Sequence, residues 1–196
     1  MVAYAFATGG AIAPAAGAAV VYSGLQNLTV AWTGSATSVN FDVNGGGADF
    51  SFGWDASNDA VIDGIGPTNN VLLSVSNSLL AQRVSAGTTL TTGAGTWDDG
   101  EKDLASYSAG GAWEGGDWTA GSTGYAALQM TVGPSTYLGW ARFTVPTSAG
   151  AGQQITLVDW AYESTAGQSI LVPAPGALVS LALGAAGLRG RRSRTS

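Results

Sequence analysis

From residue 28 onward the chain alternates apolar and polar residues over short stretches. Leu28, Val30 and Trp32 share one face of a first run; Val39, Phe41 and Val43 share one face of a second; Phe50, Phe52 and Trp54 share one face of a third. A period of two marks a half-buried antiparallel strand. Gly34-Ser35 and Asn44-Gly45-Gly46-Gly47 lie between the runs and supply turn residues. Residues 41–52 therefore read as a hairpin. Residues 69–82 are less decided. Val71, Leu72, Val75, Leu79 and Leu80 suit helical spacing, but Ser74, Ser76, Asn77 and Ser78 disfavour a helix, so two strands turning at Asn77-Ser78 are expected. The glycine-rich stretch 84–124 reads as loop, of a length that marks function or mobility in a compact domain. Pattern returns at 124–132, where Leu128, Met130 and Val132 alternate, and continues through 137–145 and 153–162. These elements predict an all-β chain: an antiparallel β-sandwich, jelly-roll-like, with no helix in the body and no internal repeat.

Composition supports strands over helices. Glycine occurs 30 times and charged residues make up only 10 % of the chain. Lys, Glu, Gln and Arg, the helix formers, are scarce, while Val, Thr and aromatic residues fill the patterned runs. The charge is also uneven. Four of the seven basic residues, Arg189, Arg191, Arg192 and Arg194, sit at the C-terminal end; without them the net charge goes from -6 to -10. Such a body repels phosphate backbones, which argues against a nucleic-acid partner. The chain has no Cys and no His, so disulfides, thiolate nucleophiles, imidazole bases and imidazole metal ligands are all excluded.

The remaining candidate chemistry is acidic and aromatic. Asp55, Asp59 and Asp63 gather oxygen ligands of the kind calcium takes, without the spacing or closing Glu of an EF-hand. Asp98, Asp99, Glu101 and Asp103 form a second acidic run. Glu114 with Asp117 or Glu163 offers carboxylate pairs of the type that hydrolyses glycosides, but nothing in the sequence fixes their separation. Ser-His-Asp catalysis is impossible, and nothing supports a Ser-Lys pair with the single Lys102. Trp97, Trp113 and Trp118 lie outside the clear strand patterns, where flat rings beside carboxylates suit sugar binding. Trp32, Trp54, Trp140 and Trp160 lie in predicted strands and read as core. Arg142 is the one basic residue inside a clear strand, and Asp159 or Glu163 on the next strand is its expected ion-pair partner.

Both ends differ from the body. Residues 1–19 are small and apolar, and Ala16-Gly17-Ala18 has the small-x-small form of a signal-peptidase site, so this stretch reads as a signal peptide or its remnant. At the other end Pro173-Ala174-Pro175 precedes an uncharged run over 177–188, followed by Arg189, Arg191, Arg192 and Arg194. Prolines interrupt the incoming strand, the run suits an apolar helix that enters a membrane, and arginines hold their end on the cytoplasmic side.

This tail resembles the PEP-CTERM sorting signal of bacterial exported proteins, in a planctomycete-like variant with Ala174 where Glu is usual. The blocks at 20–24, 137–145 and 155–165 are similar to those of such exported domains, for which the resemblance implies no catalytic residues. The family implies an exosortase-type processing protease, transient membrane anchoring through the apolar segment, and delivery to the cell surface or extracellular matrix.

The expected plan is a leader over 1–19, a sandwich domain over 20–170 and a sorting tail over 171–196. The expected function is a structural or interaction role outside the cell, with an exopolysaccharide as a partner and no enzymatic activity. The alternative is a carbohydrate-binding module using Trp97, Trp113 and Trp118. No cofactor is expected apart from calcium at Asp55, Asp59 and Asp63.

Overall fold

The computed structural model describes residues 2–4 and 19–174. Among them fifteen strands, numbered along the chain, form three antiparallel sheets, and there is no helix. The larger sheet runs β1 (Val2–Tyr4), β2 (Val20–Tyr22), β14 (Gln154–Glu163), β13 (Ser135–Thr144), β12 (Thr123–Val132), β7 (Asn69–Leu72), β9 (Trp97–Asp98). A further strand, β3 (Leu28–Ala31), pairs with the start of β14. The five-stranded sheet runs β11 (Trp113–Gly115), β10 (Lys102–Tyr107), β6 (Ala60–Gly64), β5 (Phe50–Trp54), β4 (Thr37–Phe41). A two-stranded sheet joins β15 (Ile170–Leu171) to β8 (Thr89–Leu90).

The first core lies between the two large sheets. Phe41, Phe50, Phe52, Ile62 and Leu104 of the smaller sheet meet Leu128, Met130, Phe143, Ile155 and Leu157 of the larger. Phe52 packs on Phe143 with ring centroids 5.5 Å apart, and Phe41 on Trp160 at 5.4 Å. Each fully buried side chain of this size stabilises the fold by roughly 1.5–3 kcal/mol. The arrangement is sandwich-like and all-β, as the alternation predicts. The strand order corrects the jelly-roll expectation. Strands β4-β5-β6 and β12-β13-β14 are meanders of consecutive strands, whereas a jelly roll sends most successive strands across to the other sheet.

A second core covers the opposite face of the larger sheet. Tyr125, Ala127, Leu138, Trp140 and Ala161 are buried there beneath Val84, Leu90, Ile170 and Val172. The larger sheet is thus buried on both faces, which is why Tyr125 through Leu128 in β12 are buried without interruption. A bulge helps one strand serve both cores. Arg142 pairs with Asp159, but the next residue, Phe143, pairs with Leu157, so Val158 is the extra residue. Before the bulge Ile155 and Leu157 face the first core; after it Trp160 and Tyr162 do, while Ala161 faces the second.

The hairpin expected at 41–52 is present, with Phe41 opposite Phe50 and Val39 opposite Phe52. Three readings change. The stretch 84–124 is loop-rich, as expected, but it also holds the short strands β8, β9, β10 and β11, and β10 is an internal strand. Residues 69–82 contain one strand, β7, and then a return through a single bridge, Leu73 to Ala81, that leaves Val75 and Leu79 exposed. Val39, on the core side of β4, is still 41 % exposed because β4 is an edge strand.

Candidate functional site

Strand β15 ends at Leu171, yet Val172 is fully buried in the second core and Pro173 is also buried. Val172 donates its amide to the Thr88 carbonyl at 2.8 Å and accepts from the Gly87 amide at 2.8 Å. Ala174 is exposed. The packed domain thus runs through Pro173, beyond the boundary at 170 drawn from the sequence. Of the expected sorting motif, Pro173 is buried and Ala174 is exposed. Pro175, the apolar run 177–188 and Arg189, Arg191, Arg192 and Arg194 lie outside the described residues, as does most of the expected leader.

The three candidate sugar-binding tryptophans are not brought together. Trp118 is fully buried in the first core and donates its indole N–H to the Ala81 carbonyl at 3.2 Å, so its ring faces no solvent. Its place in a glycine-rich stretch concealed this. Trp97 is half-buried at the edge of the larger sheet, with its indole N–H on the Thr92 carbonyl. Trp113 is 40 % exposed on β11, at an edge of the other sheet, and donates to the Trp118 carbonyl.

The acidic residues are used locally. Asp55 Oδ1 accepts the amides of Ser57 and Asp59 at 2.9 and 2.7 Å, and Asp59 Oδ1 accepts the Tyr107 amide at 2.7 Å. Asp63 lies on β6, opposite Ser51. Among the described residues no three acidic side chains converge as a metal site. The carboxylates nonetheless share a field. Burial first, then Asp103, Asp55 and Glu114, pushes Asp59 up to about 6 against the Tyr107 hydrogen bond. Burial likewise raises Asp63, with Asp99 adding, and raises Glu101, with Asp55, Asp63 and Asp103 adding. Lys102, itself buried, pairs with Asp98 at 2.9 Å.

Glu114 lies on β11 and Glu163 on β14, in different sheets. Glu163 is buried and accepts the Ala19 and Thr165 amides at 2.9 Å each. Asp117 accepts the Ser74 hydroxyl at 2.9 Å.

Arg142 does form its ion pair, with Asp159. Nε and one terminal nitrogen reach the two carboxylate oxygens at 2.9 and 2.5 Å, and the Tyr22 hydroxyl donates to Oδ2 at 2.6 Å. Asp159 is fully buried. Burial foremost, then the bond to Asp159, pushes the Tyr22 phenol far above its ordinary value.

One feature escaped the sequence pattern. An open recess of about 270 Å³ lies between the 42–49 loop and the larger sheet, lined by Asn44, Val132, Tyr137, Tyr162 and Ser164. Tyr162 reaches it because the β14 bulge reverses the side-chain parity, which a strict period of two does not anticipate. No family model, curated protein or solved structure matches the chain.

Proposed function

We propose that this protein is a non-enzymatic structural or interaction domain of the cell surface or extracellular matrix, delivered there by its C-terminal tail. The observation that carries this reading is the junction at residue 173. Packing continues through Pro173, the first residue of the Pro-x-Pro segment, and Ala174, the last described residue, is exposed. A sequence that runs uncharged over 177–188 into four arginines, after an exposed Ala174, suits a helix outside the domain. That helix parks in the membrane with its arginines inside, for an exosortase-type protease to process. The acidic body, at -10 without those arginines, suits soluble display outside the cell.

Intact-mass spectrometry of the protein from cell-surface and cytoplasmic fractions tests this. The surface form is expected to lack the arginine end, and a chain stopped after Ala174 is expected to be lost from the surface fraction. A cytoplasmic pool that retains Ser196, with no surface form, would overturn the reading.

A second reading, carbohydrate binding, is favoured by the Tyr137–Tyr162 recess, where aromatic rings stand beside Asn44 and Ser164. Retention on insoluble polysaccharides that falls with Tyr162→Ala, and not with Trp113→Ala, would support it over the tryptophan site. No retention of the unaltered protein would remove it.

A further inference from the structure

Sheet edges present unpaired N–H and C=O groups, and folded proteins blunt them with short strands, bulges, charges or prolines. Most edges here are blunted in this way. β11 has three residues, carries Glu114, and meets β10 across a register shift. β9 has two residues and ends on Asp98; β8 and β15 have two each. On β3 the Val30 carbonyl accepts the Trp54 indole N–H at 3.1 Å. β4 differs. It is five residues long, Thr37-Ser38-Val39-Asn40-Phe41, with no charge, no proline and an unbroken register against β5. Ser38, Val39 and Asn40 are all exposed, and Val39 is exposed on the side that faces the core.

We propose that β4 is the edge through which two copies of this chain pair, antiparallel, about a two-fold axis at Val39. That register sets Val39 opposite its counterpart, Ser38 opposite Asn40, and Thr37 opposite Phe41. No like charges meet, and each Val39 covers the other. The two five-stranded sheets become one continuous sheet. A second copy fits better than a charged partner because the edge itself is neutral and self-complementary.

Electrostatics select this edge for an acidic chain. Asp42 follows the last residue of β4, and in this register the two Asp42 residues lie six positions apart along the pair, about 20 Å at ~3.4 Å per residue. Within the strands of this sheet the carboxylate nearest β4 is Asp63 on β6, two strands in. At ~4.8 Å per strand spacing, the two β6 strands of a pair stand about 24 Å apart. That is well beyond a screening length of about 8 Å at physiological salt. An approach through β11 would instead bring Glu114 of each copy together. The pairing holds whether or not the tail sorts the protein.

The chain has no cysteine, so Val39→Cys introduces a single thiol. Cross-strand neighbours on one face have Cβ atoms about 4.5–5.5 Å apart, close enough for a disulfide after small adjustment. Under mild oxidation the full-length Val39→Cys protein is expected to form a disulfide dimer at least tenfold faster than Val75→Cys. Val75, 96 % exposed on a separate loop, is the control for random collision and for association through the tail. Adding Ser38→Lys and Asn40→Lys to Val39→Cys places lysine opposite lysine twice, and is expected to return the rate to the Val75→Cys level. Tryptophan fluorescence verifies that the fold is kept. Equal rates at 39 and 75, or a rate unchanged by the two lysines, would overturn the proposal.

Discussion

Two residues show how burial decides the role of a charge in this protein. Asp159 is fully buried, and among the described residues the Arg142 guanidinium and the Tyr22 hydroxyl compensate it. Removing Arg142 strands a buried carboxylate, so Arg142→Met is expected to lower the unfolding free energy by roughly 3–5 kcal/mol in urea titrations. Adding Asp159→Leu should recover much of that loss, because an apolar pair of similar size tolerates the site, although Tyr22 then loses its acceptor. Asp59 behaves differently. Its folded pKa, pushed up to about 6, lies above the ordinary 3.8, so the folded state holds the proton more tightly than the unfolded chain. The resulting stabilisation is complete below the unfolded value and is lost as pH rises through about 6. Asp63, Glu101 and Asp103 are raised too, burial being the main cause, and add in the same direction. Thermal unfolding is therefore expected to move to higher temperature as pH falls from 7 to 5. Asp59→Asn should shrink that gain by about 1 kcal/mol, after allowing for solvent screening at a partly exposed site. A melting temperature that falls steadily over this window would contradict the assignment.

Among the elements, β6 is held by close backbone approach. A Cβ at Gly64 would collide with the backbone carbonyl of Asn69, whereas one at Gly66 would meet nothing within 4 Å. Gly64→Ala is expected to cost about 3 kcal/mol. Gly66→Ala, at a φ of +76°, should cost less, about 1 kcal/mol of left-handed strain. Chemical denaturation of the two variants side by side tests the order. The same strand shows where sequence reading stops. β5 is legible because Phe50, Phe52 and Trp54 alternate, and β12, β13 and β14 because Leu128 with Met130, Leu138 with Trp140 and Ile155 with Leu157 alternate over part of their length. β6 and β10 are not: Ala60, Val61 and Ile62 are buried in succession, and in β10 the buried set includes Lys102 and the small Ala105. The Arg142–Asp159 pair was legible because each strand offers few charges to match. The burial of Trp118 was not, because its partners Ala81 and Phe143 are far away along the chain.

At the scale of the whole molecule, two cores share one sheet, and the C-terminal segment closes the second. Ile170 and Val172 are buried there, while Ala174 is exposed. A chain stopped after Ala174 is expected to keep its full unfolding free energy. A chain stopped after Gln168 should lose roughly 3–5 kcal/mol, the burial of two aliphatic side chains. Differential scanning calorimetry of both truncations measures the contrast, and equal melting would show that β15 does not contribute to the fold. The distribution of charge belongs to this scale as well. Carboxylates gather around β6, β10 and the loops at Asp55 and Asp99, with Asp42 and Asp49 in the loop after β4, while the five residues of β4 itself carry no charge.

Strand β15 also governs how the molecule would respond to mechanical load. Tension on the chain beyond Ala174 enters at Val172 and meets a ladder of two paired positions, Ile170 with Leu90 and Leu171 with Thr89. The ten-residue strands β12 and β13 lie deeper and share their load over many bonds at once. A pull from that end would strip the strap away first, wetting Trp140 and Leu138 while the aromatic layer between the large sheets stayed closed.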